Sequence, residues 1–117
     1  MGKLTTHVLD TAHGRPGAGV KVALFAVADG GRQLIRMDVT NADGRCGAPL
    51  LEGEALKPGQ YELVFNAGDY FAGLGVELPS PRFIDLVTIA FGIAHPNENY
   101  HVPLVVSPWS YSTYRGS

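Results

Sequence analysis

The amino-acid sequence predicts an all-β sandwich, and three observations carry that expectation. Eight prolines and fifteen glycines cut the 117 residues into short apolar runs, the rhythm of strands and turns. Within the runs, apolar side chains recur with period two, as in half-buried strands. The runs number about eight at the spacing of a sandwich or barrel, with no βαβ alternation and no internal repeat. The length fits one domain spanning 1–117.

Residues 4–9 read as a first strand, with Thr5, His7 and Leu9 on one face. Residues 11–19 form a turn-rich loop. Residues 20–27 follow, apolar on both faces, which predicts a strand covered on two sides. Asp29-Gly30-Gly31 is a hairpin signal. A strand over 33–40 sets Leu34, Arg36 and Asp38 against Ile35, Met37 and Val39. After the turn Asn41-Ala42-Asp43-Gly44 and the pair Pro58-Gly59 comes a strand over 60–66, with Tyr61, Leu63 and Phe65 sharing a face. Residues 67–74 suit one or two turns of helix, although Gly68 and Gly73 weaken it. Strands are expected over 83–93, 100–106 and 109–114. Pro103 cannot donate to a ladder, so its strand is expected at an edge or a bulge.

Composition excludes several classes. The formal net charge is −2 and the basic residues are scattered, so no nucleic-acid footprint is expected. No apolar run is long enough to span a bilayer, and strand-like alternation begins almost at once, so neither a membrane segment nor a signal peptide is expected. The only cysteine, Cys46, makes a disulfide within the chain impossible and favours a reducing, cytoplasmic setting. Charged residues are 17%, low enough to hint that partner subunits cover some surface.

Chemistry rests on few groups. His7, His13, His95 and His101 show no His-x-His pair and no His-Glu-x-x-His motif, and Cys46 has no cysteine partner, so no metal is expected. No Gly-x-Ser-x-Gly elbow occurs. Read from pattern alone, His7 and His101 are either satisfied, half-buried histidines or site residues on two strands. His13 and His95 lie in turn-rich loops, where the satisfied, structural reading is the stronger one, and Arg45 follows a turn, where a solvated role is the ordinary one.

The two ends of the chain are more specific. LTTHVLDTAHGRPGAGV at 4–20 and YHVPLVVSPWSYSTYRGS at 100–117, with TNADGR at 40–45, PGQYEL at 58–63 and the Asp69-Tyr70-Phe71 segment, resemble the 5-hydroxyisourate hydrolases, the transthyretin-related proteins. The resemblance spans essentially the whole chain, and the terminal Tyr-Arg-Gly-Ser is its most specific piece. It implies a transthyretin-like sandwich of two four-stranded sheets with one short helix, assembled as a homotetramer with sites where dimers meet. It also implies hydrolysis of 5-hydroxyisourate in urate degradation with neither metal nor cofactor.

The resemblance places catalytic roles on His7, Arg45, His101 and Ser117, and substrate binding on His7, Arg45, Tyr114, Arg115 and Gly116. Those roles agree with their chemistry. A guanidinium offers a planar fork to ring oxygens and stabilises developing charge. An imidazole accepts a proton from water near neutral pH, and a nearby guanidinium disfavours its protonated form. The rival expectation is a transthyretin-type carrier of a small apolar hormone, for which converging His7, Arg45 and His101 have no use.

Overall fold

The computed structural model describes residues 1–116. Eleven short strands and one helix follow one another as β1 (Lys3–Thr5), β2 (Val8–Asp10), β3 (Arg15–Pro16), β4 (Lys21–Ala28), β5 (Gly31–Val39), β6 (Leu51–Glu52), β7 (Gly59–Asn66), α1 (Ala67–Gly73), β8 (Leu86–Ile93), β9 (Tyr100–His101), β10 (Leu104–Val106) and β11 (Tyr111–Ser112).

One layer of the sandwich is a regular antiparallel sheet in the order β5-β4-β7-β8. The β4–β5 hairpin turns at Asp29 and Gly30, both at positive φ (52° and 76°), as a tight hairpin requires. Alternation sets the buried faces: Val22 and Leu24 on β4, and Tyr61, Leu63 and Phe65 on β7. The other face of β4 is only half-buried, through Ala23, Phe25 and Val27, so the expected two-sided cover is incomplete within one chain. The apolar outer residues of β5, among them Met37 and Val39, are exposed.

The second layer departs from a plain four-stranded ladder. The expected strands 4–9 and 100–106 each break in two, giving sheets ordered β6-β1-β9 and β11-β10-β2-β3. The parallel register is nevertheless the same on both sides of the break: Leu4 pairs with Tyr100 and Val8 with Leu104. Pro103 is the physical cause, since it offers no N–H at the break. The Thr6 hydroxyl donates to the Val102 carbonyl there (2.7 Å), and the His7 carbonyl accepts from Leu104 N–H (2.8 Å). Pro103 is therefore not on an edge strand. Val105 pairs with Leu9 on one side and with Ser112 on the other.

Along both broken strands, even-numbered residues face the core. Leu4, Val8 and Leu104 are fully buried, with Tyr100, Val102 and Val106 nearly so. Burying each such side chain contributes roughly 1.5–3 kcal/mol. The odd-numbered residues Thr5, His7 and His101 face outward and are half-buried.

Helix α1 begins at Asn66, whose side chain accepts from Asp69 N–H (3.3 Å), and buries Ala67, Gly68, Tyr70 and Phe71. A Cβ on Gly68 would collide with Asp85 and Arg82. Arg82 bridges Asp69 (2.7 Å) and Asp85 (3.0 Å), so residues 82–85 close against the helix and β8 starts later than expected. The last expected strand, 109–114, contracts to Tyr111–Ser112 because Ser107 closes a turn, its hydroxyl accepting from Trp109 and Ser110 N–H.

Candidate active site

The Asn41–Gly44 turn aims Arg45. Asn41 Oδ1 accepts from Asp43 N–H (2.9 Å) and Arg45 N–H (3.2 Å). Gly44 has φ 76°, and a Cβ there would collide with the Val8 carbonyl, so only glycine allows this approach. Val8 N–H donates to the Gly44 carbonyl (2.8 Å), which bridges His7 to Arg45 across the two backbones.

His101 lies directly opposite Thr5 in the parallel register, and its Nδ1 lies 2.9 Å from Thr5 Oγ1. The hydroxyl serves as donor or acceptor, so it holds the ring whichever tautomer is present. On its other side, the His101 carbonyl accepts from Gly116 N–H (2.8 Å). A Cβ on Gly116 would come within 2.7 Å of His101 Cδ2, so the tail backbone passes close against the imidazole. Burial, then Arg45, then His7 hold His101 below its ordinary pKa of 6.5.

His7, Arg45, His101 and Gly116 thus come to one outward sheet face. A hollow of about 520 Å³ opens there, bordered by Lys3, Thr5, Thr6, Arg45, His101 and the loop from Cys46 to Pro49. His7 stands beside Arg45, two residues along the strand from Thr5. Tyr114 is 57% exposed and borders a smaller gap of about 170 Å³ with Ile89, Phe91 and Tyr100. Ser117 lies outside the described residues.

Arg115 is not brought to this face. Its guanidinium stacks 4.1 Å from the centre of the Tyr100 ring, whose body is buried on the core side. Lys3 and Thr5 border the hollow but were not singled out in the sequence. Their odd-numbered positions on the first strand were the available signal, but the contact of Thr5 with His101 depends on tertiary register. Cys46 also lines the hollow, and burial pushes its thiol up to about 11, which leaves it a poor nucleophile. Among the described residues, no group of three or more His, Cys, Asp or Glu side chains is placed to hold a metal ion.

A second polar cluster lies away from this face. Asp10 is 1% exposed, and its carboxylate accepts from His13 Nδ1 (2.7 Å), Tyr70 Oη (2.7 Å) and the N–H groups of Ala12 and His13. Burial opposes the charge, but the bonds from Tyr70 and His13 outweigh it and hold the Asp10 carboxyl below its usual range. Burial and then the bond to Asp10 push the Tyr70 hydroxyl up to about 12. His13, a surface loop histidine as expected, has its ring nitrogen satisfied by Asp10 and so ties the 11–19 loop to helix α1 through the Asp10–Tyr70 bond.

The HIUase/Transthyretin family model matches residues 4–116. This chain belongs to that family. Its curated relatives include a 5-hydroxyisourate hydrolase of Ralstonia nicotianae, 61% identical over the full length of both chains. Another, from Pseudomonas aeruginosa, is 58% identical over 100% of this chain and 93% of the relative. Among solved structures of this fold, an (S)-allantoin synthase superposes with a TM-score of 0.94 at 45% identity; the match covers 99% of this chain and 44% of that one. A sea bream transthyretin in complex with thyroxine superposes with a TM-score of 0.85 at 28% identity, covering 97% of this chain and 94% of that one. The transthyretin-like sandwich expected from the sequence is therefore the observed fold. No helix among the described residues is long and apolar enough to cross a membrane.

Proposed function

We propose that this HIUase/Transthyretin family member hydrolyses 5-hydroxyisourate to 2-oxo-4-hydroxy-4-carboxy-5-ureidoimidazoline in urate degradation. The observation that carries this reading is the gathering of His7, Arg45 and His101 on one sheet face, beside a hollow, in a chain 61% identical to a curated 5-hydroxyisourate hydrolase. In the tautomer that donates Nδ1–H to Thr5 Oγ1, His101 presents Nε2 as a base toward water. The low pKa of its imidazole favours the uncharged form that this role needs. Water adds to an amide carbonyl of the ring, and the ring C–N bond then opens to leave a carboxylate. Arg45 stabilises the charge that develops on the attacked oxygen, and its planar fork suits a flat, oxygen-rich ligand. His7, beside Arg45, orients the water or takes part in its deprotonation.

Tyr114, Gly116 and Ser117 are assigned to the site on the family resemblance, and Gly116 lies against His101. No metal ion is assigned to the reaction. Residues 1–117 act as one domain, in the cytoplasm. The chain assembles as a homotetramer, as the family resemblance implies; Phe83, Leu86 and Trp109, each more than half exposed, with Phe83 and Trp109 side by side at the surface, support burial between subunits. A transthyretin-type carrier shares the fold, but carrying a ligand needs no imidazole base such as His101 set beside Arg45.

The test is the ultraviolet spectrum of freshly generated 5-hydroxyisourate with and without protein, with chelator present throughout. Faster loss of the substrate band is expected. An unchanged decay, or activity that requires added zinc, overturns this reading.

A further inference from the structure

We infer that Arg115 is a positioning residue, which clamps the tail so that Gly116 lies against His101. The inference rests on the reading of His101 as catalytic. Its starting point is a gap in the ladder. The tail pairs with the 100–106 segment at Ser112–Val105 and again at Gly116–His101. Between those points stands Pro103, which has no N–H to offer. A tail on the outer edge of a sheet, with its ladder interrupted, is a segment expected to fray.

Side chains fill the gap from both directions. Thr113 Oγ1 donates to the Pro103 carbonyl (2.7 Å). Arg115 Nη2 donates to Glu98 Oε1 (3.0 Å) and to the Asn99 carbonyl (3.1 Å), while the guanidinium plane rests on Tyr100.

The surface that receives Arg115 is itself fixed. Tyr100 is 4% exposed, and its hydroxyl accepts from the N–H groups of Ala94 (3.1 Å) and His95 (2.9 Å). Asn99 Oδ1 accepts from Lys3 N–H (3.2 Å), and Gly2 packs so tightly on Glu98 that a Cβ there would strike the Glu98 carbonyl. A guanidinium meets two acceptors and an aromatic face at once, which an ammonium does not match. Each exposed contact is weak alone. Together they set the path of the very next residue, Gly116, whose N–H bonds to the His101 carbonyl and whose backbone passes close to the ring.

The test uses the full chain in the 5-hydroxyisourate assay, with Arg115→Ala, Glu98→Arg and the double variant Glu98→Arg/Arg115→Glu. Light scattering and circular dichroism are run on each. Misplacing a catalytic group costs rate more than affinity, so Arg115→Ala is expected to lower kcat about tenfold with KM changed less than about twofold. Glu98→Arg, which repels Arg115, is expected to lower kcat about threefold, and the double variant to recover most of that loss.

A substrate ligand behaves differently: KM rises on Arg115→Ala, Glu98→Arg is silent and the charge swap fails. That pattern overturns the inference, as does unchanged kinetics in both single variants. If Arg115→Ala does not fold, the Glu98→Arg and double variants decide by the same criterion. A wild-type chain without hydrolase activity refutes the proposed reaction instead. The clamp is then read from the His101 ring signals by NMR, which Arg115→Ala should shift and which, if unmoved, overturn it.

Discussion

Replacing His7, Arg45 or His101 with alanine is expected to lower turnover of 5-hydroxyisourate by roughly a hundredfold or more, the usual cost of losing one acid–base or electrostatic group. None of the three fills the core, so melting temperatures should stay near wild type; normal turnover in any variant removes that residue from the mechanism. The pH profile follows from His101. Its folded pKa lies below 6.5, so the imidazole stays uncharged until the pH falls through that lower value. The acid limb of kcat/KM should therefore lie below about 6.5 and move toward the ordinary histidine value when Arg45 is replaced by a neutral side chain. An acid limb above neutrality contradicts His101 as the base.

At the scale of elements, the 11–19 loop and helix α1 are joined by the buried Asp10 carboxylate. Asp10→Ala strips the partner from Tyr70, His13 and two backbone N–H groups, and should cost roughly 2–4 kcal/mol in denaturant unfolding. His13→Ala removes one partly exposed contact and should cost about 1 kcal/mol, with little effect on turnover. The sign with pH is the usual carboxylate one. Because the folded Asp10 pKa lies below 3.8, its contribution is present above that value and lost as the pH falls through the folded pKa. An Asp10→Ala variant as stable as wild type shows the cluster to be incidental. The tail is the other decisive element. Deleting residues 114–117 should leave a folded assembly that is nearly inactive, which circular dichroism, light scattering and substrate decay together resolve. Full activity in the truncated protein would make the tail structural only.

The whole molecule exposes more apolar surface than one chain needs. Phe83 is 71% exposed and Met37 64%, with Leu86 and Trp109 close behind. Such surface on a small domain fits burial between subunits. A tetramer is expected by light scattering, with specific activity falling as dilution dissociates it. A fully active monomer is incompatible with sites completed between subunits.

The sequence by itself determined what is local. Period-two alternation placed Thr5 with His7, and His101 with Pro103, on single faces, and the Asn-Ala-Asp-Gly turn and the glycine-weakened helix came out where composition put them. The motifs at both ends pointed to the family. Only the tertiary structure decided what depends on distant partners. It set Thr5 beside His101 across 96 positions, broke both central strands at the donorless Pro103 and placed that break inside a sheet, where an edge or a bulge was expected. It turned Arg115 toward Tyr100, away from the face that carries His7, Arg45 and His101, and it supplied the buried Asp10 carboxylate as the partner of His13. The reason is physical. Side-chain periodicity follows from the backbone of one segment, whereas register and burial follow from which segments pack together.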